Sequence, residues 1–439
     1  MSGLFGSLIA YPIAEHLEKR SVSPKVREIG KFYRLPFSEQ SAISRQRLKD
    51  TLDFASSEVP YYRELIRKVG FKTEWVLSNP EAMGELPLLT KDIMREEGER
   101  MLSRPLAEVA HHACKSGGST GLSCVVYYDQ VAADYSSAVT RYCRQSTGLK
   151  GHHFALHFAC RFPDAIEGNW PSREDCKCIA MNRYNIFFDK LDEEGLNEIA
   201  EQLRSRCPYL CHAHPSTFYA LAEHIRRSGG EKFFEVFESS GEWLTEKARE
   251  SISENLQCRV IDRYGLAELG VMAYELESGK GLRFLNSEGF AEGVEGNNLE
   301  GDEGASGLVI TGFRNRLMPL IRYRTGDWAR PIERSDGVFL TEMTGRIHDI
   351  VMIDGTSFPT HHIQDVLDHR IGGIKEFQVD RRSQIPVLRI ALETPGTGEE
   401  ARVRDAVRSF WPKDLDTDFV SYSEFKTVGW RGKFRRVIE

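Results

Sequence analysis

Lys115-Ser116-Gly117-Gly118-Ser119-Thr120-Gly121 follows a short segment ending at Cys114 and precedes Cys124-Val125-Val126-Tyr127-Tyr128, which reads as a strand. Three glycines allow tight turns and close backbone approach; hydroxyls, backbone N–H groups and one lysine supply donors and a positive charge. That chemistry suits a polyphosphate. No Gly-Lys-Ser/Thr follows at Walker spacing, and a Gly/Ser-rich hairpin connection has much the same composition. The loop therefore gains meaning only from what accompanies it.

Downstream, helical and strand-like runs alternate. Asp129 is placed to cap a helix through Tyr135, Val139 and Tyr142, and Phe154 to Phe158 reads as a strand. A helix over 192–206, a strand over Tyr209 to Ala213, a helix opened by Pro215, and strands over Phe233 to Phe237 and Arg259 to Ile261 flank a helix at 245–256. This order implies an α/β sheet with parallel crossovers, whose ligands lie beyond the carboxyl ends of the strands. Upstream, 41–69 reads as an amphipathic helical pair broken at Val59-Pro60, and Thr90 as the cap of a helix from Lys91. Between about 281 and 342 short β-like runs (Leu282 to Leu285, Gly307 to Thr311, Leu320 to Tyr323, Val338 to Thr341) suggest a small barrel or distorted sheet. The residues after Gly345-Arg346 are enough for a compact α+β domain.

A length of 439 residues argues for two or three domains, and 41% hydrophobic with 28% charged residues describes an ordinary globular chain. The net charge of −7 leaves no basic excess for general nucleic-acid binding. Nine cysteines, an odd number, do not form a secreted disulfide framework, so a reducing cytoplasm is expected. Cys207, Cys211, His212 and His214 cluster without matching a structural zinc spacing. The apolar start (Leu4, Phe5, Leu8, Ile9) lacks the plan of a signal peptide and is too short to span a bilayer; packing on the main domain is expected rather than membrane contact.

Four further stretches bear on chemistry. Ser240-Gly241-Glu242-Trp243 lies between a strand and a helix and suits either a turn or a platform for a planar base. Asp262-Arg263-Tyr264-Gly265-Leu266-Ala267-Glu268 places an aromatic and a carboxylate at a strand end, able to stack a ring and to hold Mg²⁺. Asp327, after Tyr323-Arg324-Thr325-Gly326, can accept two ribose hydroxyls or serve an ordinary turn. Gly345-Arg346-Ile347-His348-Asp349 suits a polar hinge, and Lys433 offers a lysine near the C-terminus.

In this order the five stretches resemble the adenylate-forming superfamily of acyl-CoA synthetases, peptide-synthetase adenylation domains and luciferases. The nearer likeness is to the phenylacetate–CoA ligase branch and its subgroup linked to capsular polysaccharide biosynthesis. Val59-Pro60-Tyr61-Tyr62-Arg63 and Leu86-Pro87-Leu88-Leu89-Thr90-Lys91 match the helical N-terminal part of that branch. The resemblance implies a large N-terminal domain over 1–345, with mixed sheets, flanking helices and a β-rich subdomain, and a small mobile α+β domain over 346–439. It implies that Ser116, Gly117, Gly118, Ser119, Thr120 and Gly121 hold the β- and γ-phosphates of ATP, and that Ser240, Gly241 and Glu242 line the adenine with Tyr264 stacked on it. Asp262, Arg263 and Gly265 fall within the same nucleotide-binding motif. Glu268 matches the Mg²⁺ ligand, Asp327 the ribose aspartate, Arg346 an arginine on ribose or phosphate, and Lys433 the lysine bridging carboxylate and α-phosphate. His157, Phe158, His212 and His214 fall where the branch builds its acyl pocket.

The implied activity is ATP-dependent activation of a carboxylic acid as an acyl-adenylate, followed by transfer to a thiol, most naturally CoA. Transfer to an amine is the rival within the same chemistry, and a non-catalytic nucleotide sensor the rival outside it; an oligomer is compatible with either. His348 departs from the acidic or lysine hinge of the family, and Ser123 stands where proline is frequent.

Overall fold

The computed structural model describes residues 2–115, 124–159, 173–187, 193–295 and 306–344, and beyond these 350–353, 356–359, 363–364, 366–383, 385–411, 415–421, 424–428, 433–434 and 437–438. The phosphate-loop candidates Ser116 to Gly121, Ser123, and Arg346 and His348 lie outside the described residues.

Two strands flank that loop: β1 (His111–Lys115) and β2 (Val125–Asp129) pair antiparallel with Lys115 opposite Val125. Asp129 then caps the helix Gln130–Ser146, its Oδ1 accepting from Ala132 N at 2.8 Å, as its position before an apolar periodic run predicts. Behind this helix lies a sheet of mixed direction. Its parallel half comprises β3 (Ala155–Ala159), β4 (Arg183–Phe187), β5 (Leu210–Ala213), β6 (Val236–Ser239) and β7 (Arg259–Leu266), in the order β4-β3-β5-β6-β7. The chain runs outward from β3 to β4 and then returns to the other side at β5, which makes the β3/β5 junction the switch point of the sheet.

From β7 the sheet continues antiparallel through β8 (Gly270–Tyr274), β9 (Leu282–Phe284), β13 (Gly337–Thr344), β12 (Tyr323–Arg334), β11 (Ser306–Gly312) and β10 (Gly289–Glu295). The β-rich region is thus an extension of the parallel sheet. The α/β class with mixed sheets and flanking helices is as the sequence implies.

Phe218 anchors one face of the parallel half, its ring stacked on Phe237 (4.4 Å between centroids) and set edge-on to Phe234 at 5.6 Å. Offset aromatic contacts of this kind add to the area that the rings bury. Phe233 and Phe234 belong to this core but precede β6, so the strand expected over Phe233 to Phe237 begins later, at Val236. The run Leu320 to Tyr323 is likewise displaced. Strand β12 starts at Tyr323, because Arg322 has φ +50°, a left-handed conformation that breaks extended pairing. The Arg322 guanidinium is buried against Glu292 (3.1 Å), and its backbone C=O accepts from Leu89 N at 2.9 Å. Arg324 N donates back to Leu89 O at 2.9 Å, so Leu86-Pro87-Leu88-Leu89 lies beside the start of β12.

Residues from 350 on include β14 (Ile350–Ile353), β15 (Thr356–Pro359), β16 (Ile374–Asp380), β17 (Val387–Leu392), β18 (Asp416–Phe419), β19 (Thr427–Val428), β20 (Lys433–Phe434) and β21 (Val437–Ile438). The four-stranded sheet β18-β17-β16-β21 and the helix Thr397–Phe410 share a hydrophobic cluster built entirely from residues between Val351 and Val437. Lys115, at the end of β1, reaches this part of the chain. Its Nζ donates to Ile374 O at 2.8 Å and lies 3.6 Å from Asp368 and 3.7 Å from Glu393.

At the other end of the chain, helices over Ser2–Phe5 and Tyr11–Leu17 flank a π-helical turn at Gly6–Ala10. Gly6 is required there: a Cβ would meet the Asn182 side chain and, at 2.6 Å, Ile179 O. Leu4, Leu8, Ile13 and Leu17 remain exposed on this segment, and no described helix is long and apolar enough to cross a membrane.

Candidate functional site

Strand β7 carries the Asp-Arg-Tyr-Gly motif, and its pleat sends successive side chains to opposite faces. Tyr264 is buried and its hydroxyl donates to Asp327 Oδ2 at 2.8 Å, joining the residues implied for adenine and ribose. Asp327 occupies a bulge. Between β11 and β12 the register jumps from Val309↔Arg324 to Gly307↔Trp328, with Gly326 at φ +81° and Thr325 donating to Leu308 O at 2.8 Å. A bulge re-aims one side chain without ending the ladder, and here it turns Asp327 toward Tyr264. Gly265 marks a second register shift, against β8; a Cβ there would lie 3.0 Å from Gly270 O.

Glu268 follows at once and is 5% exposed. Tyr323 donates to its Oε1 at 2.7 Å, and Lys91 Nζ stands 3.5 Å from the same oxygen. Lys91 arrives through the Leu86 to Leu89 attachment to β12. Thr90 caps the helix Lys91–Glu97 by accepting from Ile93 N at 3.3 Å. Neither Lys91 nor Tyr323 was assigned a role from sequence, although both lie inside motifs quoted above. The lysine directly after an N-cap was the available signal. A single buried carboxylate suits Mg²⁺, which takes one or two carboxylates and completes its shell with phosphate oxygens.

The Ser240-Gly241-Glu242 turn packs on the first turn of the helix Pro215–Arg226. Glu242 accepts from Ser216 N at 3.0 Å and from Ser216 Oγ at 2.9 Å, so its carboxylate caps that helix. Gly241 has φ +84°, and a Cβ there would lie 2.6 Å from His214 Nδ1. His214 therefore sits against this turn. Phe158 points to the other face of β3 from His157 and packs edge-on against Phe218 at 4.9 Å. Of the four acyl-pocket candidates, only His157 and His212 line the large cavity at the switch point. Their rings stack at 4.6 Å, in register on β3 and β5. Burial holds His157 well below the usual histidine range and brings His212 down to about 4, so both are neutral at pH 7.

Beside them is a network absent from the sequence reading. Glu238, fully buried on β6, accepts from Arg144 Nη2 at 2.7 Å and from Tyr274 Oη at 2.7 Å, with Arg263 Nη1 at 3.7 Å. His212 Nδ1 lies 2.7 Å from Glu238 Oε2 but out of line for a hydrogen bond. Burial opposes charge on Glu238, yet Arg144 and, at longer range, Arg263 hold its carboxyl well below the ordinary range.

Asp262 takes the opposite face of β7 from Arg263. Its backbone N donates to Glu275 Oε2 at 2.9 Å, and burial, opposed by Arg249, pushes its carboxyl up to about 7. Asp262 thus faces Arg249 and Glu275 rather than Asp327 or Glu268.

The raised Asp262 and the lowered His212 have opposite effects on stability between about pH 4 and 6.5. There the unfolded chain carries the histidine proton that the folded chain lacks, which makes stability rise with pH. The folded chain keeps the Asp262 proton that the unfolded chain has lost, which makes stability fall with pH. Asp262→Asn removes the second effect. The variant's stability relative to wild type, measured by urea denaturation at intervals from pH 4 to 8, is expected to increase up to about pH 7 and then level off. A difference independent of pH would contradict the burial of that carboxyl.

No family model matches the chain. Its fold is that of adenylate-forming ligases. A crystal structure of 2-hydroxyisobutyryl-CoA ligase with 2-HIB-AMP and CoA in the thioesterification state superposes with TM-score 0.57, at 17% identity, over 92% of this chain and 90% of that one. Within that class the chain is similar to the phenylacetate–CoA ligase-like branch. It is 26% identical to phenylacetate–coenzyme A ligase of Pseudomonas putida, covering 79% of this chain and 80% of that protein. It is 24% identical to the enzyme of the same name from Thermus thermophilus (88% and 86%), and 22% identical to protein CapK of Staphylococcus aureus (65% and 62%).

Proposed function

We propose that this ATP-dependent ligase activates a carboxylic acid as its acyl-adenylate and passes the acyl group to the thiol of CoA. The observation that carries the reading is the convergence, where β7 ends, of the Tyr264–Asp327 pair and the buried carboxylate of Glu268. The glycine-rich loop follows β1, whose partner β2 is tied to the same place by the Tyr128 hydroxyl, which donates to Ala267 O at 3.0 Å.

In this reading Tyr264 packs on adenine and Asp327 accepts the ribose hydroxyls. Ser116 to Gly121 hold the β- and γ-phosphates, and Arg346 contacts ribose or phosphate. Lys91, close to Glu268, is a further cation for the phosphates. Magnesium, held by Glu268 and phosphate oxygens, would neutralise charge on the triphosphate. A carboxylate oxygen of the acid attacks the α-phosphorus and pyrophosphate leaves. The two anions approach each other only if their charge is offset, the role assigned to Lys433. A thiolate then attacks the acyl carbonyl carbon, and AMP leaves with the electrons of the broken C–O bond. The small domain over 346–439 turns about His348 between these steps, removing Lys433 from the site.

The test is acid-dependent exchange of labelled pyrophosphate into ATP, followed by addition of CoA or of amines. Exchange that Glu268→Gln lowers by about 10²-fold, with CoA consumed as thioester, is expected. ATP binding without exchange on any acid would leave a nucleotide sensor; amide formation without thioester would replace CoA by an amine.

A further inference from the structure

The segment before the helix Val22–Phe32 is two-faced, with a repeat of four residues. Leu4-Phe5, Leu8-Ile9, Pro12-Ile13 and His16-Leu17 are exposed, whereas Gly6-Ser7, Ala10-Tyr11 and Ala14-Glu15 are turned toward the protein. An α-helix repeats every 3.6 residues, so a repeat of four would wind around it. The π-helical turn at Gly6–Ala10 is wider and takes up part of the difference, which keeps the apolar side chains in one stripe. The inward side is held by specific contacts. Gly6 is pressed against Ile179 O and the Asn182 side chain, Tyr11 lies 4.4 Å from the Arg141 guanidinium, and Glu15 accepts from Ser23 N and Ser23 Oγ, both at 2.7 Å. Ser7 and Tyr11 thereby close one side of the switch-point cavity. Rolling the segment to hide its leucines would break these contacts, so the stripe is fixed outward.

Seventeen large hydrophobic side chains are exposed among the described residues, and six of them stand here: Leu4, Phe5, Leu8, Ile9, Ile13 and Leu17. Scattered singly, such residues need no explanation; a contiguous stripe marks a surface that something covers. Charge indicates what. The first 34 residues hold six Lys and Arg against three Glu, in a chain of net charge −7. Two of those glutamates are engaged within the protein, Glu15 by Ser23 and Glu28 by Arg47 and Arg314. Arg20 ties the end of the segment to Asp134 at 2.7 Å, on the helix Gln130–Ser146. The helix Val22–Phe32 then runs back along that same helix, from Lys25 over the Tyr135 ring to Tyr33 stacked on Tyr142. Tyr11 meets it as well, at Arg141, so the outer sides of the two elements adjoin. Lys19, Arg27, Lys31 and Arg34 are exposed there.

We propose that this stripe and the basic residues beside it seat the protein on an anionic lipid surface, with the apolar side chains at the acyl boundary and the cations among the headgroups. A second copy placed on the stripe would bring two basic rows together, whereas anionic lipid complements stripe and row at once. Packing on the main domain, which the sequence favoured over membrane contact, uses one side of the segment and leaves the other for the lipid. The cavity then lies directly behind the docked segment. Docking needs neither acid nor nucleotide, so it stands apart from the ligase reading.

Flotation of the full-length protein tests it, on vesicles of phosphatidylcholine alone and of phosphatidylcholine mixed with phosphatidylglycerol. Binding to the mixed vesicles is expected, weaker by about tenfold or more on phosphatidylcholine alone and weakened by salt. Leu8→Asp and Ile13→Asp should each lower it by about tenfold or more, the loss on keeping one such side chain out of lipid. Arg27→Ser and Lys31→Ser should each lower it by about fivefold. Urea midpoints of all four variants should match wild type, because these side chains leave water only when lipid is present. Lowered midpoints in both aspartate variants would place the stripe in the core and overturn the proposal. No binding to either vesicle, equal binding to both, or undiminished binding of the aspartate variants also overturns it. So does a dimer in sedimentation velocity that Leu8→Asp abolishes, found in place of vesicle binding, which would assign the stripe to a second copy.

Discussion

Lys433→Ala is expected to slow acid-dependent pyrophosphate exchange by about 10²–10³-fold, while thioester formation from a supplied acyl-adenylate and CoA changes by no more than a few-fold. The first number is the loss on removing one preorganised donor from a developing anionic centre. Adenylation brings a carboxylate up to a phosphate that is already negative, and a lysine placed between them is worth most in the transition state, where the oxygens crowd the phosphorus. Thioester formation begins after that charge has gone with pyrophosphate. Strand β20 supplies this residue from a two-residue pairing in which Lys433 lies opposite Val428, near the C-terminus. The measurement is a pair of single-turnover assays on one preparation. Equal slowing of both half-reactions would remove the bridging role and suggest a general defect.

Glu238→Ala is expected to destabilise the fold by about 3–5 kcal/mol, the usual cost of removing one partner from a buried ion pair. The carboxylate is fully buried, with Arg144, Tyr274 and His212 within 2.7 Å and Arg263 at 3.7 Å. Without it the two guanidinium groups that share this carboxylate are left side by side with no counter-charge. Glu238→Gln keeps the shape and an acceptor oxygen but loses the charge, and is expected to fall between wild type and alanine. Urea midpoints at constant slope check both. The acid limb follows from the same network. Glu238 is held ionised well below the usual carboxylate range, so its stabilisation is present above the unfolded value and disappears as the pH falls through the lower folded one. A Glu238→Ala cost below about 1 kcal/mol, typical of an exposed pair, would mean that water reaches this network.

Much of the frame was legible because it is local. Asp129 and Thr90 each precede an apolar periodic run, and each caps its helix through a side-chain oxygen. Four of the five parallel strands were readable from short apolar runs separated by helical ones; β4 (Arg183–Phe187) was not. Strands β8 and β10 were not anticipated. Their residues, Gly-Val-Met-Ala-Tyr and Gly-Phe-Ala-Glu-Gly-Val-Glu, acquire a partner only when β7 bends back and when β11 returns, and no local pattern announces that.

The site divides in the same way. The Tyr264–Asp327 pair and Glu268 were reachable through motif order. His157 and Phe158 could be told to face opposite ways from the pleat alone, but not which of them meets the cavity. The outcome depends on Phe218, some sixty positions later, filling one side. Glu238, Arg144 and Lys91 were missed because each takes its meaning from a distant partner. A lone arginine in a helix and a lone glutamate in a strand read as ordinary surface and core until the sheet brings them together.

The residue just before the glycine-rich loop is also a tether. Lys115 holds Ile374 O at 2.8 Å and lies within 3.7 Å of Asp368 and Glu393, so the ammonium next to the glycine-rich loop clasps the C-terminal part of the chain. An anion drawn to Lys115 competes with that clasp. If the loop takes phosphates as proposed, filling it would loosen the C-terminal part, and pulling that part away would favour filling. By linkage the two effects are equal in size, and for a third-exposed ammonium they amount to no more than about 1 kcal/mol. A contact this weak serves less as a lock than as a bias, one that an anion at Lys115 would reverse.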